Sequence, residues 1–499
     1  MQEARIPETA LRELAERMLA TRRLLIASNR GPAEFQIEDG GSLSSSRGSG
    51  GLVTALAAVS HFAELTWIAS AMTDGDHAIA ADGRAVPLGE DGMRVRFVTL
   101  PPRSYHQFYN VICNQQLWFL QHYMWNTPRN PNISRSIYEA WENGYAPANA
   151  AFAAAIAEEA AADTQPPYVM LQDYHLYLTP RLVREQLPGA VIQHFTHIPW
   201  PDPRYWALLP RTMRDQIFGH LCGADVIGLQ TVRDTRNFLQ GAESFLPGVE
   251  VDYRRSTVWW EGHLTLVRAY PIAIDAGGLQ EFAGSEAVGD YERRLAPLLT
   301  RRTIVRVDRA EPSKNLLRGF RAYDLLLQRH PEYRRTTQML ACIVPSRTDV
   351  GLYQTYTDEV FELIEAINDE YGEAGWQPIV RFYENNYAQA IAAMKQYDVL
   401  MVNPVIDGMN LVAKEGPLVN TRDGVLLLSE TAGAYEQLGG LALPLAPADI
   451  EGTVRALRDA LEMPAEERRR RAAGLRELVA ADDILNWLLR QFSDLHALA

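Results

Sequence analysis

Short runs of apolar residues alternate with helical stretches along most of this chain, and that alternation constrains the fold more than any other feature. The first series of runs is Leu24–Ser28, Trp67–Ser70, Val95–Leu100, Tyr168–Gln172, Val191–His197 and Asp225–Gln230. The second series is Thr303–Val307, Met339–Val344, Ile379–Phe382, Val399–Asn403 and Val425–Ser429. Continuous apolar runs separated by helices are typical of parallel strands buried on both faces. Two successive series therefore predict an α/β protein with two doubly wound domains.

The first series gives way to the second near Tyr270–Asp275, and Gly277 and Gly278 then give the backbone more conformational freedom. We expect an N-terminal domain over residues 1–272 and a C-terminal domain over 273–482. A final helix over 483–499 could pack back on the N-terminal domain. The length of 499 residues supports this division, because it exceeds what one compact core usually accommodates.

The charge balance excludes some classes of partner. A net charge of -14 and a pI near 5.4 disfavour nucleic-acid and anionic-membrane surfaces, because the long-range field repels both. Any phosphate recognition must then be local. The N-terminal residues are too charged for a signal peptide, no later stretch reaches a membrane-spanning length, and the three cysteines have no metal-ligand spacing. We expect a cytoplasmic enzyme of small-molecule substrates, with homo-oligomerisation left open.

The loop after the run Val399–Asn403 is the clearest candidate for a ligand site, because ligands of open parallel sheets bind beyond the carboxyl ends of the strands. Its candidate binding residues are Asp407, Gly408, Met409, Asn410, Leu411, Val412 and Glu415. The start of the predicted helix offers unpaired N–H groups to a diphosphate, and Glu415 could accept hydrogen bonds from ribose hydroxyls. The alternative is structural, with Asp407 capping the helix and Glu415 on a solvated face.

A second loop, Asp308–Asn315, places Arg309 and Lys314 on either side of a turn at a predicted helix start. Two fixed cations there could stabilise the charge that builds on a departing diphosphate. Surface salt bridges beside a proline turn are the alternative for either residue taken alone.

In the first series, Arg30 follows the first run, and a glycine-rich segment that includes Gly51 opens a helical stretch about twenty residues later. Such a segment could close over a ligand or form a surface hairpin. Asp173 follows Tyr168–Gln172 and His197 follows Val191–Thr196, so they could hydrogen-bond sugar hydroxyls or manage a proton. A lone histidine is also commonly a core residue.

Aromatic residues of the first series could present flat faces to a pyranose ring, or they could belong to the core. The candidates are Trp67, Tyr109 and Trp118.

Taken in order, these motifs resemble the trehalose-6-phosphate synthase family, retaining glycosyltransferases that join glucose from a sugar nucleotide to glucose 6-phosphate. The resemblance runs from about Leu24 to about Gly439. Its motifs are SNR at Ser28–Arg30, GGL at Gly50–Leu52, YN with NQQLW at Tyr109–Trp118, DYH at Asp173–His175, HIPWP at His197–Pro201, SK at Ser313–Lys314, SR at Ser346–Arg347, and DGMNLVAKE at Asp407–Glu415.

The resemblance implies two Rossmann-like domains that face a central cleft, the GT-B arrangement, and front-face attack with no metal or other cofactor. By this resemblance the acceptor's phosphate and sugar are bound by Arg30, Tyr109, Trp118 and Arg347. Asp173, His197 and Asp407 hold hydroxyls of the transferred glucose, with Asp173 also counted among the acceptor contacts. The donor diphosphate is bound by Gly51, Arg309, Lys314, Leu411 and Val412, and its ribose by Glu415.

Two positions depart from the family pattern. Ile406 stands where the family typically has arginine, and Gln172 replaces the histidine usual before DYH. The donor base, uridine or guanosine, stays open.

Three rival functions can be weighed, of which the first two remain as alternatives. The first is a related transferase with a glycerol phosphate or cyclitol acceptor, including a pseudo-glycosyltransferase that couples a cyclitol to an amine. The second is a non-catalytic nucleotide-sugar sensor. The third is a fused synthase–phosphatase, for which too few residues follow Val425–Ser429.

Overall fold

The computed structural model describes residues 5–38, 42–47, 64–89, 92–161, 163–347 and 351–499. These residues fall into two compact units. The first unit is Met1–Ile272 together with Ile484–Ala499, and the second is Ala273–Asp483.

The first unit is built on one large, mostly parallel sheet. Its strands are β1 (Leu24–Ala27), β4 (Leu65–Ser70), β5 (Val86–Pro87), β6 (Met93–Val98), β7 (Tyr168–Gln172), β8 (Val191–Phe195), β9 (Val226–Leu229), β10 (Glu250–Asp252), β11 (Thr257–Trp260) and β12 (His263–Ala269). They lie in the order β10-β11-β12-β9-β8-β7-β1-β4-β6-β5, and only the pairs β10–β11, β11–β12 and β5–β6 are antiparallel within the described residues. A separate hairpin joins β2 (Ala33–Ile37) to β3 (Leu43–Arg47).

The strand order of this sheet reverses at β1. That strand pairs in parallel with β4 on one side and with β7 on the other. Consecutive connections therefore leave β1 and β7 in opposite directions, and a crevice opens between the loops that follow them. Arg30 and Asp173 lie in those two loops.

Helices cover the sheet of the first unit. They are Arg5–Leu19, Asp74–Ala80, Pro102–Tyr105, Trp118–Gln121, Arg135–Ala140, Ala146–Ala160, Thr179–Gln186, Pro203–Trp206, Arg211–Leu221, Val232–Phe245 and Ile484–Ala497, with π-helical segments at His106–Leu117 and Trp141–Tyr145. A short 3-10 turn occupies Tyr174–Leu176.

The second unit has a fully parallel sheet of Rossmann type. Its strands are β13 (Arg302–Arg309), β14 (Thr337–Val344), β15 (Ile379–Tyr383), β16 (Val399–Val402), β17 (Val425–Ser429) and β18 (Leu443–Leu445). The order is β15-β14-β13-β16-β17-β18, so the reversal falls between β13 and β16. This is the order of dinucleotide-binding sheets, in which ligands bind at the reversal.

Helices also flank the second sheet. They are Ala276–Ala283, Glu286–Leu295, Leu316–Arg329, Gly351–Tyr371, Tyr387–Lys395, Val412–Val419, Tyr435–Leu438, Ile450–Glu462 and Ala465–Ala481, with 3-10 turns at Ala296–Leu298, Pro312–Lys314 and Pro331–Tyr333. The core between helices and sheet is apolar, with Ile304, Phe320, Leu326, Met339 and Leu427 all buried.

The predicted fold class is confirmed, because each predicted apolar run forms a strand and both large sheets are mainly parallel. The runs Tyr168–Gln172 and Val425–Ser429 match their strands residue for residue, and the others differ by a few residues at their ends. In the part of the chain that the structure describes, no helix is both long enough and apolar enough to cross a membrane. All three cysteines are buried.

The helix Ile484–Ala497 belongs to the first unit although it follows the second along the chain. Trp487 anchors it, because its indole N–H donates to the Tyr270 carbonyl at 3.0 Å and its ring meets Phe195 edge-on at 5.3 Å. Gln193 donates to Gln491 at 3.0 Å. Apolar burial and buried polar bonds together hold the helix to the sheet of the first unit.

We predict that Trp487→Ala lowers the free energy of unfolding by about 3–5 kcal/mol, because a fully buried ring and a buried hydrogen bond are lost. Denaturant-induced unfolding measures the loss. His496→Ala, at an exposed position of the same helix, should change stability by less than about 0.5 kcal/mol. Equal midpoints for Trp487→Ala and the unmodified chain would contradict the anchoring role.

Candidate functional site

Two loops meet at the reversal of the second sheet, one after β13 and one after β16. The Val405 N–H donates to the Ser313 carbonyl at 2.7 Å, and the Asn315 side chain donates to the Asn403 carbonyl at 2.9 Å. Because β13 and β16 are adjacent parallel strands, the polar residues at their carboxyl ends emerge side by side.

Arg306, a fully buried residue of β13, supports both loops from beneath. Its guanidinium donates to the Asp308 carboxylate at 2.9 Å, to the Asn403 side chain at 3.2 Å and to the Lys314 carbonyl at 3.3 Å. Burial raises the pKa of Asp308, although the charges of Arg306 and Lys314 oppose that rise. A buried charge is tolerated only when it is paired and hydrogen-bonded, as it is here.

The predicted cation Arg309 is joined to Arg347 through a buried carboxylate. The Glu311 Oε1 atom lies 3.1 Å from Arg309 Nη1 and 2.8 Å from Arg347 Nη1. The Ser346 hydroxyl donates to the same oxygen at 2.7 Å, and Arg347 Nη1 lies 3.1 Å from the Tyr353 hydroxyl. Arg309 is exposed, whereas Arg347 is half-buried.

Glu311 has no solvent exposure, yet it is ionised. Burial alone would raise its pKa, but the charges of Arg309, Arg347 and Lys314 and the hydrogen bond from Ser346 lower it to about 2. No functional role was predicted for Glu311 from the sequence. The signal that could have found it is its position between Arg309 and Lys314, inside the motif that supplies both cations.

Lys314 and Asp407 form an ion pair across the two loops, between Nζ and Oδ2. Asp407 also accepts from the Asn410 side chain at 3.1 Å. The helix after the loop begins at Val412, and the Asn410 side chain accepts from the Ala413 N–H at 3.3 Å. The structural alternative for Asp407, a simple helix cap, is therefore not what the structure has, because its carboxylate bonds Lys314 and Asn410 instead.

The segment 407–411 is held by the residues that follow β17. The Asp407 N–H donates to the Thr431 carbonyl at 3.3 Å, and the Ala434 N–H donates to the Met409 carbonyl at 2.9 Å. Asn410 has a φ of 74°, a left-handed conformation that asparagine tolerates better than most residues.

The middle of this segment has little access to solvent. Gly408, Met409 and Asn410 are buried, with Met409 at 4% exposure. That these three residues contact a donor stays a prediction. Leu411 and Val412 are half-buried at the helix start, where first-turn N–H groups lack intrahelical acceptors.

Glu415 is half-buried on the first turn of the helix, so the solvated-face alternative does not describe it. The Tyr387 hydroxyl donates to its Oε1 at 3.2 Å, and the Tyr387 ring stacks on Phe282 at 5.3 Å. Burial raises the pKa of Glu415 from 4.5 to about 7, and the bond from Tyr387 limits the rise. The Tyr387 contact could not be read from the sequence, because it joins two separate helices.

In the first unit, Asp173 and His197 lie together at the ends of β7 and β8. The His197 N–H donates to Asp173 Oδ1 at 3.2 Å, and the Asp173 N–H donates to the Phe195 carbonyl at 2.7 Å. Asp173 has a φ of 71° and a ψ of 174°, a region populated almost only by glycine. Backbone strain of this kind concentrates at functional sites.

His197 is half-buried and neutral. Burial lowers its pKa to about 4, so at neutral pH the imidazole carries no charge. Its Nε2 lies 3.0 Å from Gln172 Oε1, within hydrogen-bonding distance. Gln172, one of the two departures from the family pattern, is therefore a direct neighbour of the His197 ring.

Arg30 is exposed directly after β1, and Tyr109 is half-buried in a column of three rings. Tyr109 stacks on Tyr105 at 5.6 Å and on His175 at 5.8 Å. The Asn29 side chain donates to the Tyr105 hydroxyl at 3.5 Å. Tyr105 and His175 were not predicted as members of this group.

Trp67 and Trp118 do not present open faces in this structure. Each is 1% exposed. Trp67 lies in β4 with its indole N–H bonded to the Ser28 hydroxyl at 2.7 Å, and Trp118 stacks on His122 at 4.0 Å. The expectation of flat faces for a pyranose is not met, because packing covers both rings. Gly51, the predicted donor contact of the first unit, lies outside the described residues.

Among the described residues, no group of three or more His, Cys, Asp or Glu side chains is arranged to hold a metal ion. What each unit offers is a set of fixed hydrogen-bonding and charged groups. In the second unit these are the cations around Glu311 and Asp407, which suit a phosphate. In the first unit they are the carboxylate and neutral imidazole of Asp173 and His197, which suit hydroxyl groups.

Comparisons with known proteins match nearly the whole chain. The model of the family described as Glycosyltransferase family 20 matches residues 22–497. The chain is 31% identical over 461 residues to the validamine 7-phosphate valienyltransferase of Streptomyces hygroscopicus subsp. jinggangensis, covering 90% of this chain and 88% of that protein. It is 32% identical over 483 residues to the trehalose-6-phosphate synthase of Mycobacterium avium, covering 94% of each.

Two solved structures are similar over the same extent. One, described as trehalose-6-phosphate from E. coli bound with UDP-2-fluoro glucose, has a TM-score of 0.80 at 26% identity and covers 95% of this chain and 98% of its own. The other is an alpha,alpha-trehalose-phosphate synthase (UDP-forming) from Burkholderia xenovorans in complex with glucose-6-phosphate. Its TM-score is 0.80 at 26% identity, with 95% of this chain and 100% of that chain covered.

We predict that Glu415→Gln stabilises the protein increasingly as pH rises from 5 to 8. The folded-state pKa of about 7 lies above the ordinary 4.5, so the contribution of Glu415 is present below pH 4.5 and is lost as pH rises through 7. The difference between variant and unmodified chain should grow by up to about 3 kcal/mol across that range.

Denaturant-induced unfolding at several pH values measures this difference. Glu430→Gln, at an exposed position of the same unit, should follow the unmodified chain at every pH. A Glu415→Gln curve parallel to that of the unmodified chain would contradict the raised pKa.

Proposed function

The chain belongs to glycosyltransferase family 20, and from that premise we propose that it transfers glucose from UDP- or GDP-glucose to glucose 6-phosphate to give trehalose 6-phosphate. One observation carries the proposal. Arg309 and Lys314 are fixed at the reversal of a Rossmann-type sheet, beside the helix that begins at Val412. Cations and a helix start together form the environment that a leaving nucleoside diphosphate requires.

We assign the donor to the second unit, residues 273–482. Arg309 and Lys314 bind the diphosphate, the N–H groups of Leu411 and Val412 bind its oxygens, and Glu415 accepts from the ribose hydroxyls. Lys314 is paired with Asp407 in this structure, so a bound donor would contact both residues. The Lys314 cation would bind a phosphate oxygen, and the Asp407 carboxylate would accept a hydrogen bond from a glucose hydroxyl. A similar protein bound to UDP-2-fluoro glucose supports this assignment.

We assign most acceptor contacts to the first unit, residues 1–272, facing the donor unit across a cleft. Arg30 binds the acceptor phosphate together with Arg347 of the second unit, and Tyr109 lies along the sugar. Asp173 and His197 hold hydroxyls of the transferred glucose. A similar synthase in complex with glucose-6-phosphate supports an acceptor of this chemistry.

The proposed reaction retains the anomeric configuration. The bond from the anomeric carbon to the diphosphate oxygen breaks, the acceptor hydroxyl attacks from the same face, and a diphosphate oxygen takes the hydroxyl proton. Arg309 and Lys314 stabilise the growing negative charge. His197 is neutral, so it serves as a hydrogen-bonding group and adds no positive charge beside the oxocarbenium-like centre.

A second candidate acceptor has support from the comparisons. The validamine 7-phosphate valienyltransferase of Streptomyces is as similar to this chain as the mycobacterial synthase is, at 31% and 32% identity. Gln172, at the end of β7, and Ile406, in the loop after β16, depart from the synthase pattern. Coupling of a cyclitol to an amine is therefore the alternative to test alongside.

We predict that the protein forms a disaccharide phosphate from glucose 6-phosphate and either UDP-glucose or GDP-glucose. Mass spectrometry identifies the product and NMR its anomeric configuration, which should be α,α. A parallel reaction supplies a nucleotide-activated valienyl donor with validamine 7-phosphate. Product in the second reaction alone would select the cyclitol alternative, and no product in either would overturn the proposed transfer.

We predict that Arg309→Ala and Lys314→Ala each lower turnover by about 10²- to 10³-fold, as expected for groups that stabilise transition-state charge. Initial rates with saturating donor measure the loss, and circular dichroism checks the fold. Arg329→Ala removes an exposed arginine paired with Glu451 in the same unit and should leave the rate unchanged. Near-normal turnover in either variant would remove that residue from the mechanism.

A further inference from the structure

A single buried carboxylate contacts both arginines that the proposed function assigns to different substrates. Glu311 Oε1 meets Arg309, the proposed donor cation, at 3.1 Å and Arg347, the proposed acceptor cation, at 2.8 Å. The two arginines are far apart in sequence, because Arg309 is the last residue of β13 and Arg347 follows β14. Glu311 bonds to both of them.

We propose that Glu311 is a positioning residue that holds Arg309 for the leaving diphosphate and Arg347 for the acceptor phosphate, so that the two binding sites share one support. This inference rests on the proposed function, because it takes the roles of the two arginines from it. Glu311 itself is fully buried, so it acts through the two arginines.

The backbone around Glu311 fixes where its carboxylate lies. The Glu311 N–H donates to the Arg309 carbonyl at 2.7 Å, and the Lys314 N–H donates to the Glu311 carbonyl at 2.9 Å. The turn therefore ties Glu311 to both cations of its own loop through the main chain. From this turn its side chain reaches Arg347.

Arg347 is held in a conformation that its own sequence does not favour. Its φ is 45°, in the left-handed region that residues with a Cβ rarely adopt. The bond to Glu311 and the contact with the Tyr353 hydroxyl at 3.1 Å direct its guanidinium. Its planar fork suits a phosphate only when oriented, so orientation matters as much as charge.

Charge and position make opposite predictions for this carboxylate. Removing a negative charge beside two arginines raises the local positive potential, so charge alone would tighten the binding of anionic substrates. If the carboxylate instead orients the guanidinium groups, removing it lets both side chains disperse and weakens binding, since ordering must then occur on association. The sign of the change separates the two explanations.

The test is Glu311→Gln, which keeps the shape of the side chain and removes its charge. Titration calorimetry measures UDP and glucose 6-phosphate separately, and steady-state kinetics measures turnover. We expect Kd to rise by about ten-fold or more for both ligands, from the loss of two charge-assisted contacts, and turnover to fall as well.

Two further variants test the shared support. Tyr353→Phe removes the hydroxyl that lies 3.1 Å from Arg347 Nη1, so it should weaken glucose 6-phosphate binding more than UDP binding. Glu451→Gln removes a carboxylate that pairs with an exposed arginine of the same unit and should change neither ligand's affinity.

Glu311→Asp keeps the charge but withdraws the carboxylate by one methylene, and it decides the question if Glu311→Gln does not fold. Weaker binding of both ligands in either variant supports the proposal. Unchanged or tighter binding, or weakening of one ligand alone, overturns it and leaves the proposed function standing. An unmodified chain that binds neither ligand would overturn the proposed function as well.

Discussion

Parallel pairing of one central strand with two neighbours is the constraint on which each unit depends. In the first unit β1 pairs with β4 and β7, and in the second β13 pairs with β14 and β16. The connection after the central strand and the connection after its later partner run in opposite directions, so the loops that follow these two strands are left uncovered by a crossover helix. Polar residues can be placed there without disturbing the apolar faces of the sheet. Four of the groups assigned to the substrates lie in these loops, namely Arg30, Asp173, Lys314 and Asp407.

The cations that the proposal assigns to phosphate binding are individually compensated. Arg306 is paired with Asp308, Lys314 with Asp407, and Arg309 and Arg347 with Glu311. Pairing limits the desolvation penalty of the buried charges and fixes the orientation of each cationic side chain. Each loop therefore presents hydrogen-bond donors in one orientation, whereas an unpaired flexible side chain would sample many. The net charge of -14 therefore says little about the local potential that a phosphate would meet.

The sheets could be predicted from the sequence because strands that are buried on both faces of a sheet have continuous apolar sequences, such as Tyr168–Gln172 and Val425–Ser429. The loops that carry polar residues could be predicted for the same reason, since they begin where the runs end. The partners of those residues could not. Glu311 with Arg347, Gln172 with His197 and Tyr387 with Glu415 are contacts between different elements, and no local pattern records them. The burial of Trp67 and Trp118 could not be predicted either, because the sequence does not show whether an aromatic ring is covered by packing or exposed to solvent.

The conformation of Asp173 places stability and chemistry in opposition at one residue. Asp173 has a φ of 71° and a ψ of 174°, which glycine adopts without steric strain. A residue with a side chain has a steric cost of about 1–3 kcal/mol in this conformation. If random substitutions at this position were selected only for folding, glycine would be favoured. If laboratory evolution under selection for the proposed transfer retained the carboxylate, and evolution without that selection replaced it with glycine, the residue at position 173 would indicate whether the selection was acting.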